Sequence, residues 1–167
     1  MLHGRRCTVH SSPEAVLVAL RETNISWQGF AMAKKTYRGS CHCGKIRFEA
    51  DLDLAAGTGK CNCSYCWKAR NWSIGIKPDA FRLLSGKEHA SEYGFREGSD
   101  NHHVFCKQCG IRVYTYGHIA QIGGDYVSVA LPTLDDLSPA ELAEAPVRYM
   151  NGRDDDWFNV PVETRHL

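Results

Sequence analysis

The chain has 167 residues, 43% of them hydrophobic and 23% charged, and its 20 Lys and Arg nearly balance 19 Asp and Glu for a formal net charge of +1. These values describe an ordinary globular chain near the modal size of a single domain; they exclude a disordered polymer and give no basic surface for nucleic acid. The longest apolar run, AVLVAL at residues 15–20, has six residues, far short of the roughly 20 that a membrane span requires, so no membrane partner is expected.

Residues 1–33 are expected to form a peripheral or poorly ordered N-terminal extension, with a single β domain over residues 34–167. Arg5 and Arg6 precede the apolar run and Ala31, Met32 and Ala33 have a small-x-small pattern. The run is too short for a secretory signal and charges separate it from that pattern, so the functional chain is expected to begin at Met32. SPEAVLVALRE in the extension carries a helix-start signal. Cys7 also lies there and is set aside.

From Tyr37 the pattern turns to short strands. KIRFEADL alternates Ile46, Phe48, Ala50 and Leu52 against Lys45, Arg47, Glu49 and Asp51, the period of a half-buried strand. IRVYTYG sets Ile111, Val113 and Thr115 against Arg112, Tyr114 and Tyr116, and DYVSVALP alternates Val127, Val129 and Leu131 before Pro132. Helix is scarce: Ser138, Pro139 and Glu141 spell a capping box, and Pro146 ends the run soon after. The tail YMNGRDDDWFNVP is polar and turn-rich. A mainly β domain of small antiparallel sheets with one or two short helices is predicted.

Beyond Cys7, the cysteines run C-x-C, 17 residues, C-x-C-x-x-C, 39 residues, C-x-x-C. A disulfide framework would need export, and C-x-C pairs close almost no loop. Redox chemistry is the minority reading, since neither C-x-x-C pair is expected in a strand-to-helix setting. Metal-ligand spacing favours zinc. Cys41 and Cys43, two apart on a strand, would share a face and throw His42 to the other side. Cys106 and Cys109 make a knuckle followed by Gly110, as Gly44 follows Cys43. The two pairs together would make one structural Cys₄ zinc. Structural zinc binds with roughly 10 to 16 kcal/mol, comparable with a domain's whole stability of about 5 to 15.

Cys61, Cys63 and Cys66 remain, enough for a second, possibly exchangeable zinc that is one ligand short of tetrahedral. His42, His102 or His103 closing it as Cys₃His, or all the thiols sharing one ion, are the alternatives. A dication with three thiolates is a poor polariser of carbonyls but soft and thiophilic, so an open position there suits a substrate thiol.

GSCHCGKIRFE, CNCSYC, FCKQCGIRVY, ALPTLDD and YMNGRDDDW together resemble the glutathione-dependent formaldehyde-activating enzyme family, which includes centromere protein V-like members. The likeness runs from about Tyr37 to His166. It implies a β-tent fold, a structural zinc on Cys41, Cys43, Cys106 and Cys109, and a second zinc on Cys61, Cys63 and Cys66. It also implies carbon-sulfur lyase chemistry, in which glutathione as co-substrate combines with formaldehyde to S-hydroxymethylglutathione. A glutathione site needs cations and apolar walls, and WKARNW directly after Cys66 offers Trp67 and Arg70 first, with Lys68 and Trp72 beside them. For His102 and His103, adjacent on a strand, at most one can face any site. Asp154, Asp155 and Asp156 read as a solvated loop run. The expectation is a cytoplasmic enzyme acting on a small thiol and an aldehyde; the competing reading is a non-catalytic, zinc-stabilised glutathione carrier or protein-interaction module.

Overall fold

A computed structural model describes residues 34–95 and 97–167. The extension, its helix signal, Cys7 and the expected start at Met32 lie outside the described residues. Ten strands follow in order: β1 (Lys35–Ser40), β2 (Arg47–Leu52), β3 (Thr58–Cys61), β4 (Trp72–Ile76), β5 (Phe81–Ser85), β6 (Ala90–Gly94), β7 (His102–Cys106), β8 (Arg112–Ile119), β9 (Gly124–Ala130) and β10 (Val147–Met150). Two six-residue helices join them, α1 (Ser64–Ala69) and α2 (Pro139–Glu144). The architecture is mainly β, as expected.

The strands make two sheets, one of three strands in the order β1-β2-β5 and one of seven in the order β10-β3-β4-β9-β8-β7-β6. The larger sheet is antiparallel except at one edge. Its edge pair β10 and β3 runs parallel, from Val147 opposite Thr58 to Met150 opposite Cys61. A parallel pair needs a long crossover connection, and here the intervening chain builds most of the sheet before β10 returns to its edge.

The alternation in KIRFEADL holds: Ile46, Phe48, Ala50 and Leu52 are all buried, none more than 1% exposed. Val113, Thr115, Val127 and Val129 point inward from the larger sheet, and Leu131 is buried in the 3-10 turn beyond β9. Ile111, expected inward, is exposed, because it precedes β8 in the knuckle after Gly110 and is not held by strand geometry. One apolar core gathers residues of both sheets. Phe48 stacks on Phe81 with centroids 5.3 Å apart, and Phe81 tilts on Tyr114 of β8 at 4.6 Å, so a ring ladder crosses from sheet to sheet.

Helix α2 begins as its sequence dictates. Ser138 caps it, accepting from the Glu141 N–H, while the Glu141 carboxylate accepts from the Ser138 N–H at 2.9 Å. The other Glu141 oxygen takes a hydrogen bond from Lys35 at 2.6 Å and from Tyr37 at 3.0 Å, pinning the helix to β1. No helix among the described residues is long and apolar enough to cross a membrane.

Phe48 sits where the sheets meet, fully buried with a ring on it. Phe48→Ala should therefore lower unfolding free energy by about 3–5 kcal/mol in urea titration. A loss below about 1 kcal/mol would mean the sheets can close over the gap.

Candidate metal centres

Among the described residues, sulfur atoms gather in two clusters. Cys41, Cys43, Cys106 and Cys109 form one and Cys61, Cys63 and Cys66 the other, and in each the sulfurs lie within 4.8 Å of one another. All seven are free thiols.

The first cluster is built from two matching turns. Cys41 donates its N–H to the Ile46 carbonyl at 3.1 Å and Cys106 its own to Ile111 at 3.0 Å. Gly44 and Gly110 stand at φ +71° and +73° and donate back to the Cys41 and Cys106 carbonyls, both at 2.8 Å. Cys41 and Cys43 thus converge through a turn beyond β1 and not along a strand, as had been expected. The positive φ of Gly44 is what a strand could not supply, and it lets the Ile46 N–H reach the Cys41 sulfur at 3.3 Å. His42 is exposed on the same turn and takes no part in the cluster.

The sulfurs of Cys41 and Cys43 are 3.6 Å apart, and those of Cys43 and Cys106 3.7 Å. A tetrahedron with zinc-sulfur bonds of about 2.3 Å has edges of about 3.8 Å, so this donor set fits zinc. Burial pushes Cys109 up, but the N–H groups of Ile111 and Cys43 outweigh it and hold the thiol down to about 6. Against the pull of the Lys45 N–H, partial desolvation of its sulfur and the crowding Cys41 thiol push Cys43 up to about 11.

The second cluster spans the junction of β3 and α1. Cys61 ends the strand, Cys63 caps the helix and Cys66 lies in its first turn. Cys63 and Cys66 therefore occupy the strand-to-helix setting that had been denied to both C-x-x-C pairs. Six residues with a sulfur cap leave no helical period to detect. Each sulfur accepts an N–H: Cys61 from Cys63 at 3.3 Å, Cys63 from Cys66 at 3.4 Å, and Cys66 from the Asn71 side-chain amide at 3.4 Å. Hydrogen bonds from Cys61 and Cys66 pull the Cys63 thiol far below its ordinary range. The Cys63 contact pushes Cys61 up, and the Cys61 and Cys63 contacts push Cys66 up. Three thiols so close share their protons, and a dication is what would let all three ionise together.

No histidine or carboxylate among the described residues joins the trio. His102 and His103 face opposite ways. His102 stacks on Tyr116 at 4.9 Å and meets Glu92 at 3.3 Å. His103 lies flat on Tyr65 of α1 at 3.7 Å and bonds Thr115 Oγ1 through Nδ1 at 2.8 Å, so it is more than a surface residue. Burial, then the Arg112 charge, lower its pKa to about 4, leaving a neutral ring.

A pocket of about 110 Å³ opens beside the trio, with Cys61 and Cys66 in its wall together with Trp67, Arg70 and Trp72. Trp67 and Arg70 are thus brought to the cluster, while Lys68 is exposed and lines no part of it. Trp72 is a wall held by its indole N–H to Thr58 Oγ1 at 2.8 Å. Lys60 joins them, its ammonium 4.7 Å from the Trp72 ring centre. Its place directly before Cys61 was the available signal. The tail covers the mouth: Arg70 donates to the His166 carbonyl at 2.9 Å, Lys60 to that of Leu167 at 3.0 Å, and the His166 ring lies against Trp67 at 4.8 Å.

The polar run after β10 also serves the trio. Asn62 donates to Asn151 Oδ1 at 2.7 Å and accepts the Arg153 N–H at 2.8 Å, fastening the loop over Cys61. A Cβ on Gly152 would stand 2.7 Å from the Cys61 sulfur and 2.6 Å from the Trp157 ring. Asp154, Asp155 and Asp156 accept from Asn151, Trp157 and Asn159, closing the loop on itself.

Comparison with known proteins gives the same region. The family model described as "Glutathione-dependent formaldehyde-activating enzyme" matches residues 36–151. A Halomonas elongata protein that carries that enzyme's name provisionally is 31% identical over 87 residues, which is 47% of this chain and 54% of the relative. The match thus spans about half of that relative's length. A crystal structure of a Rhodobacter sphaeroides protein superposes with a TM-score of 0.56 at 26% identity, covering 66% of this chain and 99% of that one.

Because a Cβ on Gly152 would crowd the Cys61 sulfur and the Trp157 ring, Gly152→Ala should overpack the loop and cost about 1–3 kcal/mol in chemical denaturation. Trp157→Ala in the same protein should return part of that loss. If Gly152→Ala is neutral, the loop is not clamped on the trio.

Proposed function

The chain belongs to the glutathione-dependent formaldehyde-activating enzyme family, and we propose that it is a carbon-sulfur lyase that joins glutathione, or a closely similar thiol, to formaldehyde or a related small aldehyde. One observation carries this reading: the Cys61, Cys63 and Cys66 sulfurs converge beside a pocket that Cys61 and Cys66 line, each sulfur with an N–H donor, and no fourth ligand among the described residues closes them. Cys41, Cys43, Cys106 and Cys109 form a complete tetrahedral set and are assigned to a structural zinc. A second zinc belongs to the trio, where it supplies a soft acceptor that keeps a thiol ionised near neutral pH.

The chain's own groups do the rest. Lys60 and Arg70 stand at the pocket as cations for the carboxylates of a glutathione-like substrate, and Trp67 gives its stem an apolar wall. The Cys63 and Cys66 N–H groups and the Asn71 side-chain amide hold the three sulfurs in one orientation, so the substrate sulfur arrives at a fixed place. In the reaction the sulfur lone pair forms the carbon-sulfur bond, the carbonyl π pair moves to oxygen, and the proton lost by the thiol ends on that oxygen. The free thiols suit a reducing compartment, and we place the protein in the cytoplasm. The N-terminal extension is not required for this chemistry.

Metal analysis of purified protein should return two zinc ions per chain, and of Cys63→Ser one, with the fold retained. Cys106→Ser should fail to fold, since its site ties the sheets. Wild type should accelerate formaldehyde addition to glutathione, and Cys63→Ser should leave only the spontaneous rate. Undiminished turnover in Cys63→Ser would sink the assignment, and glutathione binding without acceleration would favour a carrier.

A further inference from the structure

Arg112 opens β8, and it is partly buried without a carboxylate partner among the described residues. A cation in that position is costly unless something nearby is negative. Burial lowers its pKa, and the groups whose charge opposes that effect are Tyr65 and Cys66. Its hydrogen bonds lead the same way. One nitrogen donates to Thr115 Oγ1 at 3.1 Å and another to Asn71 Oδ1.

Those bonds fix the direction of everything between Arg112 and the sulfurs. A guanidinium only donates, so it must meet the oxygen of the Asn71 amide and leave the NH₂ end to point elsewhere. That end donates to Cys66 Sγ and to Ser73 Oγ, both at 3.4 Å. Thr115 Oγ1, accepting from Arg112, has its own proton to offer His103 Nδ1 at 2.8 Å, which suits the neutral ring stacked on Tyr65. Charge matches as well: three thiolates around a dication leave one negative charge, and the guanidinium cancels it. In the Cys₄ cluster Cys43 is instead exposed to water.

We infer that Arg112, acting through Asn71, is the counter-charge of the Cys61, Cys63 and Cys66 metal centre, a positioning residue that orients and neutralises the thiolates without touching substrate. This rests on the trio's holding zinc. Partners one step beyond a metal's ligands typically govern affinity by about 10- to 100-fold.

The test is zinc retention against a chromogenic chelator in the full chain, read separately for the two sites, for wild type, Arg112→Gln, Arg112→Lys, Asn71→Ala and Cys63→Ser. Arg112→Gln and Asn71→Ala should each weaken the trio's zinc by about 10- to 100-fold and leave the Cys₄ zinc unchanged. Arg112→Lys, which keeps the charge but not the fork, should recover a large part of the loss. Cobalt-loaded protein should show the sulfur-to-metal absorption of the trio shifted in Arg112→Gln and near wild type in Arg112→Lys. Equal retention in wild type and Arg112→Gln overturns the inference, as does an Arg112→Lys defect as deep as that of Arg112→Gln or loss of both zincs together, which marks a structural role. If wild type and Cys63→Ser bind the same amount of zinc, it is the trio's metal site itself that fails.

Discussion

Cys41 and Cys43 leave the three-stranded sheet at the point where Cys106 and Cys109 leave the seven-stranded one, and their sulfurs meet at tetrahedral spacing. That meeting sets how the two sheets can stand. With the turns joined, β2 is placed so that Phe48 reaches Phe81 and, through it, Tyr114. The core is then a consequence of one junction at its rim, and β3, β4 and β9 extend the larger sheet away from it.

Most of what the sequence made legible was local. The alternation of Ile46, Phe48, Ala50 and Leu52 and the capping box at Ser138 each lie within a few residues, where period and spacing are physical signals. The exception is the joining of Cys41 and Cys43 to Cys106 and Cys109, which ligand counting reached across 63 residues. The convergence of Cys41 with Cys43 was also legible, although by way of a turn; a turn and a strand can both bring residues two apart to one side. The partners of the trio were not. Asn71, Arg112, Gly152 and His166 reach it by strand order and loop return, and β10 pairs with β3 only after nearly the whole domain has been laid down. Even the C-x-x-C setting at Cys63 was hidden, because its helix is too short to have a period.

The two clusters differ in a way that ligand counting alone does not reveal. The Cys₄ set is completed by its own chain and surrounded by backbone donors in mirrored turns. The trio is incomplete, faces a pocket, and has side chains behind it: an amide whose direction is set by a guanidinium, a hydroxyl and a stacked imidazole. Rigidity is placed where the sheets join, and polar tuning where a substrate would arrive.

The Cys₄ junction closes a span of 63 residues, from Cys43 to Cys106. A disulfide could close the same span, but it would exchange with every thiol the protein meets, and a protein that handles thiols meets many. Four thiolates around zinc need no oxidant to form and offer no sulfur-sulfur bond to attack. A zinc held by these four thiolates would therefore be a cross-link of the kind its proposed substrate cannot reduce.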